Sequence, residues 1–364
     1  MRASPTDARS EHSNGSGCSA APDAAATLVL PVGWVVWLRA AACVSCAPME
    51  GASELLLHPL SILGALALVY LACVSYVHFR GKERLKFERQ LTEHSGLFSP
   101  FNALIYLCSA VPRDPILPAK DFPQLKKLKD EWRTIRAEAL ALHDEGKIDY
   151  NADQQDLTFL SFKKLGWKRF HMKWYGDFLP SASQRCPRTV ELLKSVPGIN
   201  AAAFTLLPPG SKLGRHRDPF ASSLRYHLGL ACPKKPGCSI WVDGIEHTWR
   251  DGEDLVFDET YVHWASNNTD EPRLILFVDF TRPVRFAPVR WLNQFLIDHV
   301  YRITASHNEK DEGRGLLNRI TPVFFWSKHF FRGIKQRMNR KVYYACKYAL
   351  AALALWFLVR QLAG

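Results

Sequence analysis

Residues 208–230 read PPGSKLGRHRDPFASSLRYHLGL, a stretch that holds closely spaced histidine, aspartate and arginine residues. Within it, His216 and Asp218 are two positions apart, so both side chains project to the same side of an extended chain. The pair can therefore supply two ligands to one face of a metal ion. Taken alone it is a weak signal, because H-x-D pairs also occur by chance on protein surfaces.

A third ligand has to come from another part of the chain. His263, in the stretch WRDGEDLVFDETYVHWASN, follows Asp218 at a distance that lets several strands return the chain beside it. Two histidines and one carboxylate leave adjacent coordination positions open, which is typical of iron(II) that activates dioxygen. The sequence therefore predicts a metal site formed by His216, Asp218 and His263.

The run RLILFVDF, residues 273–280, is apolar on both faces and is predicted to be a buried strand. An arginine at its start, Arg273, needs a carboxylate partner, and its planar guanidinium fits the distal carboxylate of 2-oxoglutarate. A structural ion pair with Asp270 or Glu271 is the alternative.

Arg225 and His227 share one face of the strand that follows the metal pair, and Tyr226, Leu228 and Leu230 share the other. A polar strand face usually points to solvent. Here it lies only a few residues beyond the metal pair, so we expect it to face the site.

Between residues 157 and 285 short β-rich runs alternate with Gly/Pro turns and show no intervening helices. The predicted strands cover 201–207, 224–231, 238–242, 254–258 and 273–280. This pattern indicates a sandwich or jelly roll. Residues 121–145 have helical apolar spacing, and residues 98–111 form a short apolar patch that we interpret as an interfacial or lid element.

Residues 60–79 carry no charge and end in aromatic and then basic residues, as expected of a membrane helix that exits on the cytoplasmic side. A buried helix of a soluble protein is the alternative. Residues 342–359 are apolar apart from Lys347, so they predict a second span or an interfacial helix. Residues 28–47 are a poor span or part of an extension that precedes a start at Met49.

The formal net charge of +12 is concentrated in two basic clusters, each beside an apolar run. They comprise Arg80, Lys82, Arg84, Lys86 and Arg89, and Lys328, Arg332, Lys335, Arg337, Arg340 and Lys341. Anionic lipid is the expected partner, whereas no nucleic-acid motif and no obligate protein partner is evident. Cys232 and Cys238 flank a turn; reduced thiols are expected there, with a disulfide as the alternative.

Three phrases carry a resemblance to a known family: PPGSKLGRHRDPFASSLRYHLGL, WRDGEDLVFDETYVHWASN and KWYGDFLPSA. The segment from about 165 to 283 resembles the aspartyl/asparaginyl β-hydroxylase family, and within it the phrases are similar to bacterial lipid A hydroxylases. The resemblance implies a double-stranded β-helix (jelly-roll or cupin-like) core that uses Fe(II), 2-oxoglutarate and O2. It also implies hydroxylation at carbon 2 of a secondary acyl chain of lipid A, at the bacterial inner membrane with the catalytic domain in the cytoplasm.

The resemblance also implies residue roles. His216 and His263 would be iron ligands, and Arg273 would bind the distal carboxylate of the cosubstrate. Near the other end of the cosubstrate it places Arg225 and His227, with Thr205 and Trp174 adjacent. Animal peptide hydroxylases of the family have glycine at the position of Asp218, so general iron chemistry supports Asp218 as a ligand more strongly than the resemblance does.

The expected architecture is a mainly β core with flanking helices and terminal membrane helices. Its segments are an N-terminal extension (1–50), a transmembrane helix (55–80), a juxtamembrane helical region (81–155), the dioxygenase domain (156–290), a basic juxtamembrane region (291–341) and a transmembrane or interfacial helix (342–360). Rival functions are hydroxylation of another lipid such as an ornithine lipid, peptidyl Asp/Asn hydroxylation, or a catalytically silent membrane scaffold.

Overall fold

A computed structural model describes residues 59–148, 166–309, 312–313 and 315–339, and single positions or short runs between 342 and 360. Its strands are β1 (Ile116–Leu117), β2 (Lys168–Trp174), β3 (Ile199–Leu207), β4 (Lys212–His216), β5 (Ser223–Ala231), β6 (Cys238–Val242), β7 (Ile245–Thr248), β8 (Asp254–Phe257), β9 (His263–Asn267) and β10 (Arg273–Thr281). All the pairings between these strands are antiparallel.

The strands form two sheets. The larger sheet has the order β1-β8-β5-β10-β3-β2, and the smaller has the order β4-β9-β6-β7. From β3 to β10 the chain passes repeatedly from one sheet to the other, so eight strands are shared between the two as in a double-sheet jelly roll. The prediction of a mainly β core is confirmed.

The helices surround these sheets. They are α1 (Pro59–Phe79), α2 (Phe87–Thr92), α3 (His94–Leu97), α4 (Ser99–Cys108), α5 (Lys126–Asp130), α6 (Trp132–Asp144), α7 (Pro180–Arg185), α8 (Pro187–Lys194), α9 (Ala287–Phe295), α10 (Leu316–Arg319) and α11 (Thr321–Arg337). Short 3-10 turns cover Ala119–Asp121, Pro123–Leu125 and Tyr301–Thr304, and a π-helical turn covers Leu296–Val300.

Strand alternation divides the core into two layers. On β10, Leu274, Leu276 and Val278 point outward into a cluster shared with α5, α6 and α8. Ile275 and Phe277 point inward, into a second cluster shared with the smaller sheet. Because successive residues of a strand face opposite sides, β10 is buried on both faces, with an apolar run at Leu274–Val278 between the charged residues Arg273 and Asp279. The inner layer is the space in which the functional residues lie.

Each of the five predicted strands is found, to within about two residues at its ends. The expectation of strands without intervening helices is wrong, because α7 and α8 lie between β2 and β3. The helical prediction for residues 121–145 is confirmed by α5 and α6, and the apolar patch at 98–111 contains α4. Cys232 and Cys238 are free thiols, as expected.

Helix α1 contains a stretch of 19 residues, Ser61–Phe79, that is long and apolar enough by length and composition to cross a membrane. Its apolar side chains are largely exposed; Leu68 is 69% exposed and Leu66 is 61% exposed. Residues 1–50 lie outside the described residues. The positions described between 342 and 360 are helical, and the prediction of a span or interfacial helix there stays a prediction.

Candidate metal centre

The three predicted ligands come together where β4 ends and β9 begins. His216 is the last residue of β4 and pairs with His263, the first residue of β9, in the antiparallel register. The ligand atoms of His216, Asp218 and His263 all lie within 4.8 Å of one another, and His216 Nε2 is 3.7 Å from Asp218 Oδ1. Over the part of the chain that the structure describes, no other group of three His, Cys, Asp or Glu side chains meets this geometry.

Backbone carbonyls orient both imidazoles. His216 Nδ1 lies 2.7 Å from the carbonyl oxygen of Gly214, and His263 Nδ1 lies 3.0 Å from that of Tyr261. A carbonyl oxygen only accepts, so each Nδ1 donates and each Nε2 keeps its lone pair. Burial lowers the pKa of both histidines, and with His216 beside it the pKa of His263 falls to about 3. Both rings are therefore neutral at pH 7, the form that binds metals.

The carboxylate of Asp218 is held by a buried cation. Arg225 Nη1 on β5 donates to Asp218 Oδ2, and the backbone N–H of Asp218 donates to the carbonyl of Glu259 at 3.0 Å. Burial alone would raise the pKa of Asp218, but Arg225, followed by His216 and His263, holds it far below its usual range. Asp218 is therefore an anion, as a metal ligand must be.

The guanidinium of Arg225 bridges Asp218 and Asp279, two partners that the sequence did not predict. Its placement near the cosubstrate stays a prediction. Nε lies 2.7 Å from Asp279 Oδ1, and Nη2 lies 3.0 Å from Asp279 Oδ2. The cause is the register of the larger sheet, which sets Arg225 opposite Asp279 on β10. Arg225 thus supports a candidate ligand through its ion pair with Asp218.

The charge balance behind the ligands favours a cation. Three carboxyl groups surround the single guanidinium of Arg225: that of Asp218, which is partly exposed, and those of Asp279 and Glu259, which are buried. Burial, and for Glu259 the neighbouring Asp279, raises the pKa of both Glu259 and Asp279. An excess of buried carboxyl groups over cations is complementary to a divalent ion. Together with two imidazole nitrogens, this donor set fits iron(II).

Arg273 lies on the inner face at the start of β10 and is 3% exposed. Its guanidinium stacks over the Trp249 ring at 4.4 Å, and its Nε has no hydrogen-bond partner. Among the described residues no ion pair includes Arg273, and Asp270 pairs with Lys235 instead. The alternative of a structural ion pair with Asp270 or Glu271 is therefore not what the structure shows. A buried cation of this kind fits a carboxylate ligand.

His227 occupies the position between Arg273 and the metal ligands. It is 6% exposed and its ring lies 5.0 Å from that of Phe257. Burial, followed by the charges of Arg273, Arg225 and His263, lowers the pKa of His227 well below its usual value. The His227 ring also lies 6.1 Å from that of Trp249, on which Arg273 stacks, and the Phe257 ring lies 5.6 Å from that of His263, so His227 lies between the two groups.

Thr205 and Trp174 also lie on this inner layer. Thr205 is 1% exposed on β3 and is the register partner of Ile275 on β10. Trp174, at the end of β2, stacks on Phe277 with ring centroids 5.9 Å apart. Both residues line the face on which a cosubstrate would lie.

One buried ionic cluster beside the site was not predicted. Asp258 pairs with Arg80 at 2.6 Å and with Arg282 at 2.8 Å, and all three side chains are at most 5% exposed. The sequence grouped Arg80 with residues that face lipid; this is wrong for Arg80, which also stacks on Tyr106 at 3.9 Å. The sequence signal that could have indicated this cluster was a charged residue, Arg282, directly after the apolar strand β10.

Comparisons with known proteins place the chain near a family of hydroxylases. Residues 129–283 match the family model described as aspartyl/asparaginyl beta-hydroxylase. An ornithine lipid ester-linked acyl 2-hydroxylase of Rhizobium tropici is 32% identical over 187 residues, which is 50% of this chain and 66% of that protein. The human aspartyl/asparaginyl beta-hydroxylase is 30% identical over 164 residues, covering 44% of this chain and 21% of that protein.

Two histidines and a carboxylate are a ligand set typical of non-haem iron oxygenases. Over the segment 129–283 the chain matches the aspartyl/asparaginyl β-hydroxylase family. The chain spans just under two thirds of the bacterial relative and about a fifth of the human one. Among solved structures, a Pseudomonas putida prolyl-4-hydroxylase aligns at a TM-score of 0.29 and 21% identity, over 42% of this chain and 87% of that one, which adds nothing to the fold described above.

Proposed function

We propose that this chain is an Fe(II)- and 2-oxoglutarate-dependent hydroxylase that acts at carbon 2 of an acyl chain of a membrane lipid, with lipid A as the substrate. The observation that carries the proposal is the pairing of the His216, Asp218 and His263 cluster with a buried, unpaired Arg273 on one inner face. A metal site alone fits many reactions. A metal site with a separate carboxylate receptor fits a dicarboxylate cosubstrate.

The chain's own residues would hold the reactants in place. His216 Nε2, His263 Nε2 and Asp218 would bind the iron, which when bound supplies dioxygen activation. Arg273 would pair with the distal carboxylate of 2-oxoglutarate, while Arg225 keeps Asp218 ionised and oriented. Oxidation of one substrate C–H bond to C–OH is balanced by conversion of 2-oxoglutarate and O2 to succinate and CO2.

Three observations support a lipid as the substrate. Helix α1 is long enough to span a bilayer, and the carbonyls of its last turn accept hydrogen bonds from Arg217, which lies between His216 and Asp218 in the sequence. The sequence phrases around the ligands are similar to lipid A hydroxylases. The Rhizobium tropici relative acts, by its name, on an ester-linked acyl chain, which makes ornithine lipid the second candidate.

The localisation is part of the same proposal. Basic residues follow α1 directly, as the positive-inside rule expects of a helix end on the cytoplasmic side. We therefore infer an inner-membrane protein whose catalytic domain faces the cytoplasm, where acyl chains at the bilayer surface are within its reach. Arg80 is buried, so the remaining residues of the basic clusters would contact anionic lipid.

Mass spectrometry of membrane lipids, with and without expression of the full chain, tests the proposal. A gain of one oxygen on a lipid A acyl chain is expected, and a gain confined to ornithine lipid would select the second candidate. His263→Ala should abolish the gain, whereas His247→Ala, a partly exposed histidine on β7, should retain it. Purified protein that forms no succinate from 2-oxoglutarate with iron(II) and any lipid would overturn the enzyme assignment.

The alternative of peptidyl Asp/Asn hydroxylation needs a separate measurement. The human relative is named for aspartyl and asparaginyl residues, so an Asp-containing peptide belongs in the same succinate assay. Turnover with the peptide and none with lipid would contradict the lipid proposal. Asp218→Gly asks whether the carboxylate is needed; unchanged iron affinity and turnover would remove Asp218 from the ligand set.

A further inference from the structure

Arg217 stands between two metal ligands in the sequence and points away from them. Its side chain is among the largest fully buried ones, with the residue 1% exposed. Its guanidinium donates to three backbone carbonyls, those of Val77, His78 at 3.3 Å and Glu83 at 3.4 Å. These acceptors belong to the last turn of α1 and the residues after it, here called the exit segment (residues 77–83).

The last carbonyls of a helix have no partner within the helix and carry partial negative charge. A cation beside these carbonyls donates hydrogen bonds to them and offsets their partial negative charge. Among the ion pairs that the described residues make, none includes Arg217, so the carbonyls of the exit segment are its counter-charge. A buried arginine held in this way fixes the position of the backbone on either side of it, which bears His216 and Asp218.

The exit segment also holds the second ligand-bearing segment. Arg80 donates to Asp258 Oδ2 at 2.6 Å and to Thr260 Oγ1 at 2.9 Å, just before His263. The carbonyl of Glu259, between these two, accepts the backbone N–H of Asp218. The exit segment therefore contacts both segments that carry ligands, the one around Arg217 and the one that leads into His263.

A third set of contacts closes the arrangement. The backbone N–H groups of Lys82 and Glu83 donate to the Asp243 carboxylate at 3.0 and 2.8 Å. The N–H of Asp243 donates in turn to the carbonyl of Val262, the residue before His263, at 2.9 Å. A Cβ at Gly81 would lie 2.5 Å from Asp243 Oδ1, so this close approach requires glycine.

We infer that Arg217 is a positioning residue that fixes the ligand pair of β4 against the exit segment of α1, so that metal affinity depends on how the apolar helix ends. The inference rests on the proposed metal site. It adds a coupling between the candidate membrane helix and the metal that neither the ligand motif nor the fold implies.

The test uses the full-length protein in detergent and follows Co(II) binding by its visible absorption. Arg217 contacts no ligand directly, but its loss should displace the backbone that carries two of them; we expect an effect like the loss of an outer partner, so Arg217→Gln should raise the Co(II) Kd by about 10- to 100-fold. Arg215→Gln is the matched control. Arg215 flanks the same histidine and pairs with the same exit segment through Glu83, but its side chain is 46% exposed, so less than about a twofold change is expected.

Melting temperature and Kd together separate positioning from general stability. Arg217→Lys, which keeps the charge but cannot reach three carbonyls, should restore part of the affinity. If Arg217→Gln lowers the melting temperature and leaves the Kd of the folded protein unchanged, Arg217 is structural and the inference is overturned.

Gly81→Ala provides a second route if the Arg217 variants do not fold, because it displaces Asp243 without touching a ligand strand. The same weakening of Co(II) binding is expected, and a Kd equal to that of the wild type would contradict the coupling. If the wild type itself binds no Co(II), the proposed function fails and the inference fails with it; if the wild type binds and the variants match it, only the inference fails.

Discussion

Replacement of Arg273 by methionine should stabilise the protein and remove its response to 2-oxoglutarate. Arg273 is 3% exposed, and burial lowers the pKa of its guanidinium to about 10, with the Cys238 and Cys232 thiols nearby offsetting this in part. The ordinary value is 12.5, and one pKa unit corresponds to about 1.4 kcal/mol, so the buried charge costs about 3 kcal/mol. Methionine keeps most of the packing volume and carries no charge.

The expected gain is smaller than this cost because the contact of Arg273 with the Trp249 ring is also lost. A cation over an aromatic ring contributes about 1 kcal/mol, which leaves a net stabilisation of about 2 kcal/mol. For a protein of this size that corresponds to a rise of about 4 °C in melting temperature. Wild type at a 2-oxoglutarate concentration of about 100 times Kd should gain about 2.7 kcal/mol, and Arg273→Met should gain nothing.

Thermal unfolding of both proteins, with and without 2-oxoglutarate, measures these shifts. Arg282→Met is the matched control, since Arg282 is an equally buried arginine that does have a carboxylate partner, Asp258 at 2.8 Å. That variant leaves Asp258 paired with Arg80 alone and leaves the carbonyls of Ala221 and Ser223 without their donor, so it should lose about 1–3 kcal/mol of stability, the opposite sign. A destabilised Arg273→Met protein that is still protected by 2-oxoglutarate would refute the reasoning and make Arg273 a structural cation.

Three further perturbations test the surroundings of the site. Asp258→Asn leaves Arg80 and Arg282 without an anion and should cost about 3–5 kcal/mol. Burial would raise the pKa of Asp258, but Arg282 and Arg80 hold it below its usual range. The loss of stability should therefore be complete above about pH 4 and should shrink in acid, where Asp258 of the wild type becomes protonated, as measured by urea unfolding across pH. Gly229→Ala should unfold the protein or sharply reduce its soluble yield, since a Cβ there would lie 2.0 Å from the Arg250 carbonyl; normal yield and stability would contradict the packing. Phe204→Ala should cost about 3–5 kcal/mol in the outer core without changing the Co(II) Kd of the folded protein.

The strands that could be predicted are those with a short run of apolar, β-rich residues in their own sequence. β3, β5 and β10 lie in the middle of the larger sheet, where burial selects apolar residues, so their pattern is local. β4 and β9 were missed as strands because Lys212–His216 is largely exposed and polar and His263–Asn267 carries three polar residues in five. Both are strands because they pair with each other, and a pairing between distant segments leaves no local signal.

The candidate site was predictable in its ligands and not in their supports. The spacing of His216 and Asp218 and the chemistry of a two-histidine, one-carboxylate set pointed to three residues that the structure brings together. The partner of Arg225 depends on the register of β5 against β10, which sequence spacing does not specify. Arg80 was assigned to lipid because it follows an apolar helix, whereas its partner Asp258 lies 178 residues away.

The exposed nature of β4 explains why the supports are charged. A short, exposed strand gains little from apolar burial, so its own packing cannot hold two ligands in a fixed geometry. Ionic and backbone hydrogen bonds do so instead: Gly214 orients His216, Arg225 grips Asp218, and Arg217 reaches the exit segment. Each of these contacts is directional, and apolar packing is not, so buried charge supplies here the positional precision that a metal site needs. The same buried charges lower the stability of the protein when no metal is bound. Substitutions around the site should therefore change stability and metal affinity to different extents.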